Sequence, residues 1–498
     1  MLFLAKYIWI IKFLKLKNMD FRKIEFGKAD AKEEGAEFPE LLIKGYFDAN
    51  GVIDLAVNKS KFLFLGYKGA GKAALSEHIR LVQMDYNCFV NDILLSDFPY
   101  KSFSKIISGD SEPEAKLPIA WEWILLVYAI NSLTQDEGST TLLPNELGHT
   151  LDALRQIGIL PLINIRDFVT KSSKNAFKVN LGAYFGFAFE SDSSFNTNDL
   201  KFIHLVSFLK ELLGSFSTQN KHIIIIDGLD EILTSREVQY QSIAALINQA
   251  KELNNYFRNN NIPIKIIILC RTDIFERLPH PNKNKIRQDS AYIFDWFNDS
   301  EAYEESNLVK IANLRGNLVF PDIENIFDKF FPKKYERQSI YSGLLNFTRH
   351  TPRDFLQLLN NVQKYCKGSS VTNLDIENGL KSYSVYYFLP EIKDELVGYL
   401  EYDKIDTLFN LLSTLRKRDF FLREVQAIAD GNDDAKHLNL ESIFRVLFEC
   451  SAIGHIVVSR DRSSSLIYFK YRNRNMSFNS RDRIILHKGI WKALNIEF

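Results

Sequence analysis

The sequence predicts an α/β fold, a mostly parallel sheet carrying a glycine-rich loop, followed by a helical region and a small mixed domain. Three observations carry that reading. An apolar run, Phe62 to Leu65, enters a turn with three glycines, Gly66 to Lys72, and a helix-forming stretch follows it. Four consecutive isoleucines, Ile223 to Ile226, read as a strand buried on both faces, as central strands of parallel sheets are. A third apolar run, Ile264 to Leu269, has the same character.

The first of these elements is a strand, a glycine turn and a helix N-terminus in sequence. Its residues are Gly66, Tyr67, Lys68, Gly69, Ala70, Gly71, Lys72, Ala73 and Ala74. Backbone N–H groups converging in such a loop, with the partial positive charge of a helix end, cradle phosphates, and Lys72 reaches the β- and γ-phosphates. After Gly-Lys, Mg²⁺ chemistry calls for a Ser or Thr hydroxyl, and Ala73 has none. Water can fill that place, because Mg²⁺ keeps several waters. Hydrolysis is therefore more in question than nucleotide binding.

The second strand ends in Asp227, Asp230 and Glu231. Negative charge at the carboxyl edge of a strand beside a phosphate loop suits a metal–nucleotide complex. Asp227 is the expected Mg²⁺ residue, and Asp230 or Glu231 would polarise the attacking water. On this reading Lys72 and Asp227 reach one triphosphate from neighbouring strand ends. The third strand ends in Arg271 and Thr272, candidates for sensing the γ-phosphate. Downstream, Thr351-Pro352-Arg353 opens an amphipathic helix, proline being expected in a first turn, and Arg353 offers a planar, permanently charged phosphate contact.

The series GYKGAGK, IIIIDGLDE, ILCRTD and TPRDFLQLL resembles the Walker A, Walker B, sensor-1 and sensor-2 elements of AAA+ and STAND-type P-loop ATPases. The DGLDE form is similar to the STAND and NACHT side of that class. Residues Phe26 to Ala31, Pro39 to Leu42 and Tyr46 to Asp48 look like a narrower group of bacterial ATPases, some of them among phage-defence genes. The resemblance covers roughly residues 20 to 365. It implies ATP binding, Mg²⁺-dependent hydrolysis, and a nucleotide-governed change in assembly or partner engagement, in a homo-oligomer or with a protein effector.

Composition sets outer bounds. A chain of 498 residues is long enough for two to four domains. Lys+Arg and Asp+Glu are both 62, so no global charge steers the chain to nucleic acid or membrane. The four cysteines are scattered without a CxxC pair, which fits a reducing cytoplasm rather than a disulfide framework or zinc site. The apolar N-terminal stretch is interrupted by Lys6, Lys12, Lys15 and Lys17 and is too short to span a bilayer. Residues 1–18 read as an extension before a start at Met19.

The expected organisation is an N-terminal segment over 19–57 and a core over 58–300, with a helical insertion over about 100–215. A helical lid over 301–399 and a winged-helix-like domain over 400–498 follow. The insertion reads as helices over Glu112 to Leu133, Asn145 to Ile157 and Leu200 to Leu213, with Phe177 to Phe189 alternating as strands do. The basic stretch 282–287 reads as a loop, from which Arg287 or Arg277 could serve a neighbouring subunit's nucleotide. In the last domain, helices over Thr407 to Leu415, Leu422 to Ala429 and Leu440 to Cys450 precede a hairpin of Ile453 to Ser459 and Leu466 to Tyr471. Arg460, Arg462, Lys470, Arg472, Arg474, Arg481 and Arg483 give this end a positive bias that fits DNA-backbone contact. Glu441 and Glu449 make its third helix a poor groove reader. The alternative function is thus a nucleotide-sensing DNA-binding regulator, or a pseudo-ATPase with little hydrolysis.

Overall fold

A computed structural model describes residues 19–96, 98–107, 113–162, 164–174, 181–188, 198–229, 237–279, 282–298, 302–458 and 465–496. Two compact units emerge. One comprises 50–66 and 75–294; the other comprises 1–49, 67–74 and 295–498.

The first unit is built on five parallel strands: β1 (Leu63–Gly66), β2 (Cys88–Leu94), β3 (Lys221–Asp227), β4 (Ile264–Arg271) and β5 (Ala291–Ile293). Their spatial order is β2-β3-β4-β1-β5. The isoleucine run of β3 is buried throughout because β2 and β4 flank it and helices cover the sheet. Helix α1 (Lys72–Leu81) follows the glycine turn, giving the strand–loop–helix of a P-loop core. Helix α2 (Pro113–Thr134) is mostly apolar from Leu117 on, with Glu122 paired to Lys210, and packs against α3 (Glu237–Asn259). Trp121 in α2 donates its indole N–H to the Ser242 carbonyl at 2.9 Å, so even its polar atom is satisfied inside. Lys116–Thr134 is long and apolar enough to cross a membrane, and 72% of its apolar window is buried within the fold.

Three expectations change here. The segment expected to alternate as strands is helical where it is described, over Leu181–Tyr184 and Gly186–Ala188. The basic stretch expected as a loop is a helix, Lys283–Ser290, which delivers the chain into β5. A three-residue strand such as β5 offers no period to read, and only its pairing with β1 defines it. Third, β1 and β3 are not neighbours, since β4 lies between them.

In the second unit, helix α4 (Pro352–Tyr365) starts at an N-cap, Thr351, whose hydroxyl accepts the Asp354 N–H. Phe355, Leu356, Leu358, Leu359 and Val362 form its buried face. Each such chain removed from water contributes about 1.5–3 kcal/mol. Helix α5 (Leu389–Leu396) follows. The C-terminal part has the three expected helices, Tyr402–Leu415, Leu422–Asp430 and Leu440–Glu449. Its sheet has four antiparallel strands: β6 (Asp419–Phe420), β7 (Ile453–Val458), β8 (Ser465–Tyr468) and β9 (Arg483–Leu486), ordered β6-β9-β7-β8. The hairpin was expected; β9, which inserts between β6 and β7, was not, because its short RIIL run is no longer than many loop segments.

Candidate nucleotide site

The glycine loop has the backbone its chemistry requires. Gly69 and Gly71 take φ values of +81° and +97°, a region closed to most L-residues. A Cβ on Gly69 would also lie 3.1 Å from the Thr351 hydroxyl and 3.2 Å from the Arg353 Cβ. That crowding exists because α4 begins directly on the loop: the Arg353 N–H donates to the Gly69 carbonyl at 3.3 Å. Lys72 is 7% exposed and folds back so that its Nζ donates to the Tyr67 carbonyl at 3.3 Å.

Two further cations meet at one carboxylate. Lys68 Nζ lies 3.1 Å from Glu391 Oε2, and Arg353 Nη1 lies 3.8 Å from the same oxygen. Glu391 stands in the first turn of α5, so loop, α4 and α5 converge there. Beneath this point sits a buried ion network. The Arg349 guanidinium donates two hydrogen bonds to Asp354, at 2.9 and 3.0 Å, its backbone N–H a third at 3.1 Å, and Tyr387 a fourth at 2.9 Å. Burial alone would raise the Asp354 carboxyl's pKa, but the Arg349 charge and the hydrogen bonds from Arg349 and Tyr387 together outweigh it and hold the group below its ordinary range. The network fixes the first turn of α4 and with it the exit direction of Arg353. Neither Arg349 nor Glu391 was legible as a partner in sequence; the only signal was Arg349 lying five residues before Asp354.

The strand-end edge of the first unit presents a different arrangement. Register places Gly66 opposite Arg271, Ile226 opposite Ile268, and Leu94 opposite Asp227, so the carboxyl ends share one edge. With β4 between them, the ends of β1 and β3 stand about 10 Å apart, two strand spacings, rather than side by side. Asp227 Oδ1 accepts the Gly228 N–H at 2.8 Å. Gly228 must be glycine: its φ is +81°, and a Cβ would lie 2.9 Å from the Ser96 nitrogen. Arg271, the first sensing candidate, ends β4. Its guanidinium grips Asp273 through two bonds, 2.9 and 3.0 Å long, with both side chains buried. Thr272, the other candidate there, has a buried hydroxyl with no hydrogen-bond partner. Asp230 and Glu231 lie outside the described residues.

The loop suits a polyphosphate, given its left-handed glycines, buried lysine and flanking cations. For Mg²⁺ the fit is narrower. No group of three or more His, Cys, Asp or Glu able to hold a metal occurs among the described residues. Ala73 adds no ligand. Asp227 is the carboxylate expected from sequence for Mg²⁺, and Mg²⁺ commonly takes few protein ligands beside phosphate oxygens and water.

The candidate inter-subunit arginines are occupied in part: Arg287 pairs with Glu276 and stacks over Phe275. At the C-terminal end, Arg472 donates to Asn346 at 2.9 Å, Arg474 pairs with Asp295 at 2.9 Å, and Arg483 pairs with Asp419. Each of these arginines has a partner within its own unit. Arg460 and Arg462 lie outside the described residues.

The fold and loop together define a P-loop α/β protein. Residues 306–389 match the FunZ-associated C-terminal helical domain, a stretch that includes Arg349, Arg353 and Asp354. No curated protein matches the chain. Among solved structures, the chain is similar to the Aeropyrum pernix ORC1 protein in complex with DNA, at 12% identity and a TM-score of 0.35, over 92% of this chain and 91% of that one.

Proposed function

We propose that this protein is an ATP-binding switch of the AAA+ type that hydrolyses ATP with Mg²⁺ and couples nucleotide state to assembly or to a protein partner. The observation that carries the reading is the start of α4 on the phosphate loop, through the Arg353 N–H and the Gly69 carbonyl. A helix seated there registers any change in the loop. Lys72 supplies charge to the β- and γ-phosphates, and Asp227 with phosphate oxygens and water would hold Mg²⁺, which neutralises charge developing on the transferred group. Glu391 holds Lys68 and Arg353 in the meantime. Phosphate and Glu391 would compete for the same two cations, so occupancy alters the grip between loop, α4 and α5. Glu231 or Asp230 places the attacking water. A part in anti-phage defence rests on sequence resemblance alone.

A second reading, binding without turnover, is favoured by one residue, Ala73. Phosphate release separates the two. Lys72→Ala should lower affinity for a fluorescent ATP analogue at least a hundredfold and abolish release, and Glu231→Gln should abolish release with binding retained. Ala73→Thr should raise turnover several-fold if the missing metal ligand limits it; equal turnover would remove that explanation. Sizing with and without a nonhydrolysable analogue reports the assembly step.

A further inference from the structure

The phosphate loop is held from a second side, by the middle residue of a three-residue stretch that no motif identifies. Trp296 donates its indole N–H to the Ala70 carbonyl at 2.8 Å. Its Cζ2, on the same edge of the ring, lies 4.0 Å from where a Cβ on Gly71 would stand, so the indole edge borders the glycine. The Ala70–Gly71 peptide is planar and trans, so its C=O and N–H point in opposite directions. Pinning the carbonyl to the indole therefore turns the Gly71 N–H away from it and fixes one of the loop's anion-binding donors.

The residues on either side of Trp296 face the C-terminal domain. Asp295 pairs with Arg474 at 2.9 Å. Phe297 meets His350 edge-on at 5.0 Å and Tyr471 edge-on at 5.7 Å, and the Arg472 guanidinium lies over its ring at 5.3 Å. Arg472 is in turn tied to Asn346 and to the Tyr471 hydroxyl. Alternate residues of one short strap thus bind the domain, and the middle residue binds the loop.

We infer that Trp296 is a positioning residue for the phosphate loop, and that the strap 295–297 transmits the placement of the C-terminal domain to the loop's anion donors. The inference rests on the nucleotide reading above. It gives Arg472 and Arg474 a role beside residues 295–297.

Trp296→Phe keeps the ring and removes only the donor. It should weaken binding of a fluorescent ATP analogue about tenfold, the size of one well-made hydrogen bond, with the thermal midpoint unchanged. Arg474→Gln and Asp295→Asn, which do not touch the loop, should each weaken binding about threefold. Combined, they should do no more than either alone, and in the Trp296→Phe background they should have no further effect. Affinity within twofold of wild type for Trp296→Phe, or additive effects of Arg474→Gln and Trp296→Phe, would overturn the inference. If the wild-type chain binds no ATP, the nucleotide reading fails instead. Amide hydrogen exchange then decides the strap by itself: Gly69 to Lys72 should exchange faster in Trp296→Phe and in Arg474→Gln, and unchanged rates would refute it.

Discussion

Two arginines predicted from sequence to meet the γ-phosphate, Arg271 and Arg353, lie in different units and have opposite surroundings. Arg271 is buried and bound side-on, through Nε and Nη2, to Asp273, whose carboxyl is also buried. Burial pushes the Asp273 pKa up most strongly, but the charge and hydrogen bonds of Arg271, with the Arg277 charge, together outweigh it and hold the group below the ordinary range. Arg353 is about a quarter exposed, and its nearest carboxylate oxygen, on Glu391, is 3.8 Å away. A closed bidentate pair is a structural clamp. A long, half-open pair can be exchanged for a stronger anion at little cost. Equivalent positions in a motif series therefore do not have equivalent freedom to act.

Three measurements bear on this contrast. The largest effect should come from Arg271→Gln, which strands Asp273 as an unpaired buried carboxylate. Urea unfolding should show a loss of about 3–5 kcal/mol; a loss below about 1 kcal/mol would mean that Arg271 is as displaceable as Arg353.

An intermediate effect belongs to acid. His487 is buried as a neutral ring, with Nδ1 accepting the Gly489 N–H at 3.1 Å and Nε2 facing the Thr348 carbonyl at 3.2 Å. Burial, with Arg349 nearby, lowers its pKa to about 3. Between that value and the unfolded value near 6.5, the unfolded chain binds a proton that the folded chain does not. Stability is therefore full above about pH 6.5 and falls as the pH drops, by about 2 kcal/mol at pH 5. His350, His222 and His455 are shifted down too and act in the same sense. His487→Asn should therefore reduce that slope in chemical denaturation across pH 5 to 7 without abolishing it, and an unchanged slope would place the acid sensitivity elsewhere. The smallest stability effect should be that of Arg353→Gln, less than about 1 kcal/mol. Its ATP turnover should nonetheless fall about tenfold, and a variant with normal turnover would remove Arg353 from the proposed switch.

Much of the core was legible because its signals are local. The glycine spacing of Gly66 to Lys72 demands left-handed backbone, and the run Ile223 to Ile226 tolerates no solvent face. The Thr351-Pro352 start of α4 is likewise a property of adjacent residues, as is the apolar spacing of the helix Leu440–Glu449. The parts that were missed are short or depend on distant partners. Strands β5 and β9 are three and four residues long. Glu391 and Trp296 gain their roles from contacts with residues 38 and 226 positions away.

The sequence alone determined that a phosphate-type loop, a buried parallel sheet and a proline-started helix carrying Arg353 exist in this chain, since each follows from steric and solvation rules within a few consecutive residues. Tertiary structure decided the rest. It set β4 between the strands of Lys72's loop and Asp227, closed Arg271 onto Asp273 while leaving Arg353 loosely held, and seated Trp296 on the loop. The physical reason is that a charge or a donor acts only through what faces it, and what faces it is set by packing between segments far apart in the chain.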